Sequence, residues 1–314
     1  MLNKPFKILE APELLDNFYY SILDWGSCNT ISVGLSKKIF LIQMSQGRIL
    51  NLLKGDSNVT SVKFDELSTN LAAGCENGEI LVFDLNKGEI CRNIQGHKGR
   101  VGVCKWNRGV LTTGGSDTFV LHTDLRAPDS FCKVKAHTDE ICGLEWNEDT
   151  LATGSNDNTI KIWQDFNQTP ICTLQGHTSA VKSMAWSPFD KNILLSGGGA
   201  NDKTIKVWDT NLNKSLKEIY TGSQVCSLLF SKNSKEFVTG HGYSKNEIVV
   251  WNYSRLEEKE TFQAHEDRVL YMAISPDGRD LVTGAGDKTL RFWNLFKSLN
   301  KKGDFEELWG NGFR

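Results

Sequence analysis

The polar and apolar positions of the chain repeat one unit, in which two short β-type runs are joined by small polar residues. Residues 151–163, with the sequence LATGSNDNTIKIW, form such a unit, whose second run alternates apolar and polar residues and ends on Trp163. Units of the same length lie at residues 71–83, 111–123 and 281–293. Period-two alternation around an Asn, Asp or Gly turn predicts two antiparallel strands with a tight connection.

The spacing of the units predicts a single ring of repeats. Successive second runs end 41, 40, 40, 45, 43 and 42 residues apart. These ends are Ile42, Phe83, Thr123, Trp163, Trp208, Trp251 and Trp293. A period of about 40 to 45 residues with four strands in each repeat is typical of a β-propeller. The sequence therefore predicts an all-β fold, a seven-bladed WD-repeat β-propeller.

Each repeat begins with an alternating strand that we expect at the centre of the ring. In the fourth repeat the predicted strands are residues 141–146, 151–154, 159–163 and 171–175. Corresponding inner strands are residues 59–64, 101–106, 181–186, 225–230 and 269–274.

The seventh repeat has three predicted strands and needs a fourth from elsewhere. Residues 6–9, FKIL, precede the first inner strand at residues 21–25 and are the natural donor. Joining the two ends of the chain would remove an exposed sheet edge. We therefore assign residues 1–296 to the propeller, with residues 5–20 as the closing segment, and residues 297–314 to a C-terminal tail.

Composition narrows the class of partner and the compartment. A formal net charge of -2 supplies no basic field, so sequence-independent nucleic-acid binding is not expected. The N-terminus lacks a signal-peptide core, and no window approaches the roughly 18 apolar residues of a membrane span. The eight cysteines contain no CxxC pair, and we expect buried free thiols. These features predict a protein of the nucleus and cytoplasm without membrane contact.

Four histidines recur just before inner strands and invite a metal interpretation. His97, His137, His177 and His265 fall in different blades, whereas a zinc site needs all its ligands about 2 Å from one ion. A hydrogen-bond relay within each blade explains them better. The predicted relays are His137, Thr153, Asp157 and Trp163; His177, Ser196, Asp202 and Trp208; and His265, Thr283, Asp287 and Trp293.

The same relays absorb the carboxylates that would otherwise suggest acid/base catalysis. No nucleophile elbow, phosphate loop or HExxH motif is present. We therefore expect no enzymatic activity, metal or cofactor.

Polar residues at one rim of the ring are not needed by the fold. They are Asn156, Asn158, Asn201, Gln224 and Arg268, and their positions relative to the strands place them around the central channel. Turn chemistry explains Asn156 and Asn158 equally well. The residues alone predict a propeller that binds a partner on this face.

Several longer segments resemble one family of WD-repeat proteins. Residues 5–25, PFKILEAPELLDNFYYSILDW, resemble the Fizzy and Fizzy-related coactivators of the anaphase-promoting complex. Residues 122–128, 222–233, 240–251 and 268–278 extend the resemblance over nearly the whole chain, and residues 282–296 are more similar to the Fizzy-related branch. It implies a receptor that recruits substrates with KEN and destruction-box degrons, such as cyclins, to this ubiquitin ligase.

The resemblance assigns a KEN-degron site to the rim. The asparagine pair of the family falls on Asn156 and Asn158, its glutamine on Gln224 and its arginine on Arg268. Amides can donate to and accept from a Lys-Glu-Asn turn, and the guanidinium can pair with the degron glutamate. Two positions depart from the family pattern, because Ala200 replaces a threonine and Asn17 an aspartate. At about 0.5 to 1.5 kcal/mol for a hydrogen bond, we expect a weakened but functional site.

The resemblance also implies a destruction-box groove between the first and last blades. It maps to Leu9, Glu10, Pro12 and Glu13, with the two apolar residues receiving the degron leucine and Glu10 pairing with the degron arginine. Lys288 occupies a position where many members carry an acid. We expect that this cation opposes binding of the degron arginine.

The ligase contacts implied by the resemblance are less complete in this sequence. Family members carry an upstream basic C-box motif, and none precedes Asn3. The sequence either begins within a longer protein or has lost this contact. Family members end in Ile-Arg, a docking tail for which Phe313 and Arg314 are the counterparts here.

Three hypotheses follow, with different partners. The first is a non-enzymatic substrate receptor that binds ligase subunits, degron-bearing substrates and inhibitors acting as pseudosubstrates, and that is a monomer on its own. The second is a scaffold of the same descent that no longer activates the ligase. The third, a propeller hydrolase, would need acids or metal ligands along the channel.

Overall fold

Seven four-stranded antiparallel sheets form within the part of the chain described by the computed structural model, residues 4–127, 131–263 and 265–297. These residues contain 28 strands and no helix. Blade 1 comprises β2 (Leu23–Trp25), β3 (Thr30–Leu35), β4 (Lys38–Gln43) and β5 (Arg48–Lys54). Blade 2 comprises β6 (Val59–Phe64), β7 (Asn70–Cys75), β8 (Glu79–Asp84) and β9 (Glu89–Gln95). Blade 3 comprises β10 (Val101–Asn107), β11 (Val110–Gly115), β12 (Phe119–Asp124) and β13 (Phe131–Lys135).

The remaining blades follow the same order. Blade 4 comprises β14 (Ile141–Asn147), β15 (Thr150–Ser155), β16 (Ile160–Gln164) and β17 (Cys172–Leu174). Blade 5 comprises β18 (Val181–Trp186), β19 (Ile193–Gly198), β20 (Thr204–Asp209) and β21 (Lys214–Tyr220). Blade 6 comprises β22 (Val225–Phe230), β23 (Glu236–His241), β24 (Glu247–Asn252) and β25 (Glu257–Gln263). Blade 7 comprises β26 (Val269–Ile274), β27 (Asp280–Ala285), β28 (Thr289–Asn294) and β1 (Lys7–Glu10).

The N-terminal strand closes the ring, as predicted. Strand β1 pairs antiparallel with β28 from Lys7 opposite Phe292 to Glu10 opposite Thr289. Successive inner strands are neighbours, and β2 contacts both β6 and β26. The seven-bladed all-β propeller is therefore confirmed, with a closing strand that begins one residue later than expected.

The hydrophobic core lies mainly between neighbouring blades. One cluster joins blades 6 and 7 through Val250, Phe262, Met272 and Trp293. Similar clusters fill the other interfaces that the described residues form. Because full burial of a large apolar side chain contributes about 1.5 to 3 kcal/mol, each blade depends on its neighbours.

The hydrogen-bond relays are confirmed in the blades for which they were predicted. In blade 4, His137 Nδ1 lies 2.9 Å from Asp157 Oδ2, and its Nε2 lies 2.7 Å from Thr153 Oγ1. The indole of Trp163 donates to the same Thr153 hydroxyl at 3.0 Å. Equivalent bonds hold the relays of blades 5 and 7. Each histidine is thus committed to its own blade.

Two further blades use variants of the relay, of which only His97 was noted in the sequence. In blade 3, His97 bonds Asp117 and Thr113, while Thr123 stands in the position of the indole. In blade 6 the imidazole comes from His241, which lies between Ser223 and Thr239.

The inner strands of blades 2 to 7 share a β-bulge near their first residue. The register shifts between Ile141 and Gly143 in blade 4 and at the same place in the other five. A bulge leaves one residue unpaired and bends the strand. In blades 4, 5 and 6 these residues, Cys142, Lys182 and Cys226, line the central channel.

The thiols fit the expectation in part. All eight cysteines are free; Cys75, Cys104, Cys142 and Cys226 are buried, whereas Cys28 is exposed.

Candidate functional site

Residues 11–20, the crossing segment, run from the closing strand to blade 1. They cross the face of the ring that carries the turns between the second and third strands of each blade, which we call the top. The Tyr271 hydroxyl of blade 7 donates to the carbonyls of Leu15 and Asn17 at 2.8 and 3.0 Å. On the far side, the Tyr19 hydroxyl donates to Asn156 of blade 4 at 2.9 Å. A segment that contacts both blades must lie over the channel axis. A cavity of about 410 Å³ remains in the channel.

The underside of this crossing segment is apolar and aromatic. Phe18 is buried, and the Lys182 ammonium lies 5.4 Å from its ring centroid and 5.2 Å from that of Tyr271. Burial lowers the pKa of Lys182 to about 8. Burial likewise raises the pKa of the Cys226 thiol to about 12. The cation–π contacts of Lys182 with Phe18 and Tyr271 offset part of the free-energy cost of burying its ammonium group.

An ionic network holds the crossing segment to blades 2, 3 and 4. Arg100 binds Glu140 through two hydrogen bonds of 2.9 and 2.7 Å. Its guanidinium lies 5.4 Å from the Tyr19 ring and 5.6 Å from the Tyr20 ring. The Tyr20 hydroxyl donates to Glu76 at 2.5 Å, and burial together with this bond raises the pKa of Tyr20. The two parallel hydrogen bonds to Glu140 fix the plane of the Arg100 guanidinium. The rings of Tyr19 and Tyr20 pack against this fixed group.

The two predicted asparagines lie in the top turn of blade 4, between β15 and β16. Asn156 accepts the Tyr19 hydrogen bond on Oδ1 and donates from Nδ2 to Asp139 at 2.8 Å. Asn158 adopts a left-handed backbone conformation with φ of 67°, and its side chain is partly exposed. Asn tolerates this conformation better than most residues. The turn therefore fixes Asn156 and presents Asn158 beside it.

Gln224 and Arg268 come together above blades 6 and 7. Gln224 is only 7% exposed, and its Oε1 lies 3.5 Å from Arg268 Nη1. The guanidinium also lies 5.3 Å from the ring centroid of Tyr243, whose hydroxyl donates to Asp267 at 3.2 Å. The arginine is therefore held between an amide and an aromatic face.

Arg268 is also bound to an acid that the sequence pattern did not single out. Its Nε donates to Asp16 Oδ1 at 2.9 Å, and its Nη2 lies 2.8 Å from the same oxygen. Asp16 belongs to the crossing segment, 252 residues away in sequence. The guanidinium that was predicted to meet a ligand is thus neutralised within the chain.

Asn17 and Ala200 differ in what they offer. The Asn17 side chain accepts a hydrogen bond from the Tyr19 backbone amide at 3.0 Å and so caps a local turn. Ala200 is exposed in the top turn of blade 5, between β19 and β20. The side-chain oxygen of Asn17 is therefore already engaged within the crossing segment. Ala200 has only a methyl group to offer a ligand.

The predicted destruction-box residues lie in the closing strand β1 and in the segment just after it, beside blade 1. Leu9 is partly buried against the core cluster shared by blades 1 and 7, whereas Glu10 and Pro12 are exposed. Glu13 forms an ion pair of 2.7 Å with Lys38 of blade 1. The structure thus brings these residues to one seam, with one of the two acids already paired.

Lys288 borders the same segment. Its carbonyl accepts a hydrogen bond from the Ala11 amide at 2.8 Å, and its side chain is exposed. The residue has a φ of 61° in the turn before β28. This contact puts the ammonium-bearing residue next to the end of β1, where the groove was predicted.

The tail residues that were predicted to dock on the ligase, Phe313 and Arg314, lie outside the described residues.

Within the described ranges, no cluster of three His, Cys, Asp or Glu side chains is suited to a metal ion. No helix in that part of the chain has the length and apolarity to cross a membrane.

This face of the ring therefore carries side-chain amides, one guanidinium that is paired with Asp16, and the exposed ring of Tyr243. The sequence pattern missed Asp16, Tyr19 and Tyr243, which position the predicted residues. Their only local signal was the run DNFYY in the closing segment and the aromatic within GHGYSKN. Neither run follows the repeat, so neither could be placed by counting blades.

Comparisons with known proteins agree with this architecture. The profile of the CDC20/Fizzy WD40 domain matches residues 9–293. WD repeat-containing protein srw1 of Schizosaccharomyces pombe is 43% identical over 95% of this chain and 54% of its own length. APC/C activator protein CDH1 of Saccharomyces cerevisiae is 40% identical over 95% of this chain and 53% of its own length.

A solved structure is similar as well. One chain in a crystal structure of the mitotic checkpoint complex aligns with a TM-score of 0.92 and 35% identity, covering 94% of this chain and 93% of that one. The chain spans about half the length of srw1 and CDH1. The extent of these matches shows that the chain belongs to the CDC20/Fizzy WD40 family.

Proposed function

We propose that the protein is a substrate-recognition adaptor and activator of the anaphase-promoting complex, which binds KEN-box and destruction-box degrons in cell-cycle proteolysis. The observation that carries this proposal is the contact of Arg268 with Gln224 at 3.5 Å above blades 6 and 7, on the same face of the ring as the blade 4 turn that carries Asn156 and Asn158. The names of relatives, which include an APC/C activator and several Fizzy-related proteins, support it.

The KEN site would use few anchors. Arg268 would take the degron glutamate by a charge-assisted bond, while Gln224, Asn156 and Asn158 would match the polar groups of the turn. Ala200 and Asn17 lack the hydroxyl and carboxylate that the family pattern has, which weakens the site. Hydrogen bonds to charged groups contribute about 1.5 to 3 kcal/mol each. We therefore expect a KEN peptide to bind with a dissociation constant on the order of micromolar.

The destruction box would bind along the seam between blades 1 and 7. Leu9 and Pro12 would contact the degron leucine, and Glu10 the degron arginine. Glu13 would join only when its pair with Lys38 opens. Engagement of both degrons on one substrate would multiply the weak affinities through effective concentration.

The partners that follow are subunits of the anaphase-promoting complex, degron-bearing proteins such as cyclins, and inhibitors that bind as pseudosubstrates. We propose that the protein acts in the nucleus and cytoplasm and has no catalytic activity of its own. A scaffold of the same descent that no longer activates the ligase is the alternative.

Peptide binding tests the degron site. A fluorescent peptide containing Lys-Glu-Asn is titrated against the intact chain and against Asn158→Ala and Arg268→Ala. We expect Arg268→Ala to weaken binding by about ten-fold or more, and Asn158→Ala by about three-fold. Asn211→Ala, an exposed change on the opposite face, is the control and should have no effect. Equal binding of a peptide with alanine at all three degron positions would refute the site.

Ligase engagement needs a separate measurement. The intact chain and a version lacking Phe313 and Arg314 are immobilised and exposed to purified anaphase-promoting complex. Retention by the intact chain, reduced by the deletion, supports the activator role. Degron binding without retention of the complex would favour the scaffold.

A further inference from the structure

The Arg268–Asp16 pair has the geometry of a site that is occupied by its own chain. Three contacts join the guanidinium to Asp16, two to Oδ1 and one of 3.4 Å to the backbone carbonyl. The Arg268 side chain is 18% exposed and that of Asp16 is 37% exposed. A ligand carboxylate therefore approaches a guanidinium whose best donors are already engaged.

The carboxylate of Asp16 can leave without unfolding the segment that carries it. The backbone on either side is fixed, because the Leu15 and Asn17 carbonyls both accept hydrogen bonds from the Tyr271 hydroxyl. No hydrogen bond of the Asp16 side chain to a residue other than Arg268 occurs among the described residues. Rotation of one side chain thus frees the guanidinium from the carboxylate, while the contact with the Asp16 backbone carbonyl remains.

We propose that Asp16 is an internal competitor for the ligand carboxylate at Arg268 and a specificity-determining residue of the peptide site. This inference rests on the proposed function and deepens it. A ligand carboxylate that binds Arg268 displaces the Asp16 carboxylate, which is then left unpaired beside the ligand. A bare acidic peptide is repelled by that charge, whereas a peptide with a lysine next to its glutamate supplies a cation for it.

The binding event is then an exchange of pairs. One internal ion pair opens and two intermolecular pairs form, so the number of unpaired charges does not rise. Because partly exposed ion pairs are individually weak, the exchange affects selectivity more than overall affinity. The site would favour adjacent Lys-Glu over an isolated glutamate.

The test compares two peptides and three proteins by fluorescence anisotropy. The peptides contain Lys-Glu-Asn or Ala-Glu-Asn, and the proteins are the unmodified chain, Asp16→Asn and Asp267→Asn. Asp16→Asn keeps the shape of the side chain and removes its charge. Asp267→Asn removes an equal charge next to Arg268 from a carboxylate whose described contact is with Tyr243.

We expect Asp16→Asn to tighten binding of the Ala-Glu-Asn peptide by about five-fold and to tighten the Lys-Glu-Asn peptide less. Asp267→Asn should leave the ratio of the two affinities unchanged. If the unmodified chain binds Lys-Glu-Asn but Asp16→Asn does not change this ratio, the inference is wrong and the proposed function stands. The same result for both variants would show a general field effect and also overturn it.

Failure of the proposed function gives a different pattern. Neither peptide would then bind to any of the three proteins, and the inference would fall with the site. Binding to Asp16→Asn alone would support the competitor while removing degron binding from the unmodified chain.

Discussion

The hydroxyl of Tyr19 donates a 2.9 Å hydrogen bond to Oδ1 of Asn156 across 137 residues of sequence. The bond joins the crossing segment to the top turn of blade 4. It also uses one lone pair of the amide that was predicted to read a degron, while Asp139 accepts from its nitrogen. Asn156 is thus held in one orientation before any ligand arrives.

Tyr19→Phe tests the value of this fixed orientation. Loss of the hydroxyl leaves the amide held only by Asp139, and we expect the dissociation constant of a Lys-Glu-Asn peptide to rise by about two- to five-fold. Titration by anisotropy measures it. Because the ring that packs on Arg100 remains, the melting temperature should change little; a large drop in stability with unchanged affinity would contradict the positioning role.

Thr153→Val tests the blade relay. The Thr153 hydroxyl is shared by His137 and the Trp163 indole, so its removal leaves two buried groups without a partner. We expect a loss of about 1 to 3 kcal/mol in the free energy of unfolding. Thr113→Val in blade 3 is the matched control, because Thr113 serves His97 where no indole is present. Urea denaturation should show the smaller loss for Thr113→Val, and equal losses would argue against the shared hydroxyl.

Lys288→Glu tests the cation beside the predicted groove. Replacing the ammonium with a carboxylate should tighten binding of an arginine-containing destruction-box peptide by about three-fold or more at low salt. Lys203 offers a control, since it occupies the same turn in blade 5 with a φ of 59° against 61°. The anisotropy assay should detect a gain for Lys288→Glu alone. An unchanged affinity would remove Lys288 from the groove.

Acid should destabilise the ring through His241. Burial lowers the pKa of His241 to about 3, from an ordinary value of 6.5, and Ser223 and Thr239 bond its imidazole. A histidine with a lowered folded-state pKa stabilises in its neutral form, so its contribution is complete above pH 6.5 and is lost as the pH falls toward about 3. One such group changes stability by up to about 1.4 kcal/mol for each pH unit.

The measurement compares unfolding free energies between pH 7 and 5 for the unmodified chain and His241→Gln. The variant should show a shallower loss because it has one fewer group to protonate. Parallel curves would contradict the assignment.

Leu9→Ala and Ile8→Ala test ring closure by strand β1. Leu9 packs against the core shared by blades 1 and 7, whereas Ile8 is 52% exposed. We expect Leu9→Ala to cost about 1 to 2 kcal/mol and Ile8→Ala less than about 0.5 kcal/mol. Thermal or urea unfolding would separate them, and equal effects would mean that β1 does not seal the core.

The fold was largely predictable because its signal is repeated. The run from Thr159 to Trp163 has counterparts at a regular spacing in the other blades, so strand order and blade number followed from counting. The bulges at Cys142, Lys182 and Cys226 were not predictable. A bulge depends on how a strand must bend to meet its neighbours, and no residue type is reserved for it.

The candidate site was predictable only as a set of residues. Sequence by itself determined the seven blades, the closing strand and the relays of blades 4, 5 and 7, and through resemblance it predicted Asn156, Asn158, Gln224 and Arg268 as site residues. Only the tertiary structure decided that Asp16 forms an ion pair with Arg268, that Lys38 forms one with Glu13, and that the Tyr19 hydroxyl donates a hydrogen bond to Asn156. The physical reason is distance along the chain. Repeats and turns are local patterns, whereas these pairs join the first 20 residues to distant blades and exist only once the ring has closed.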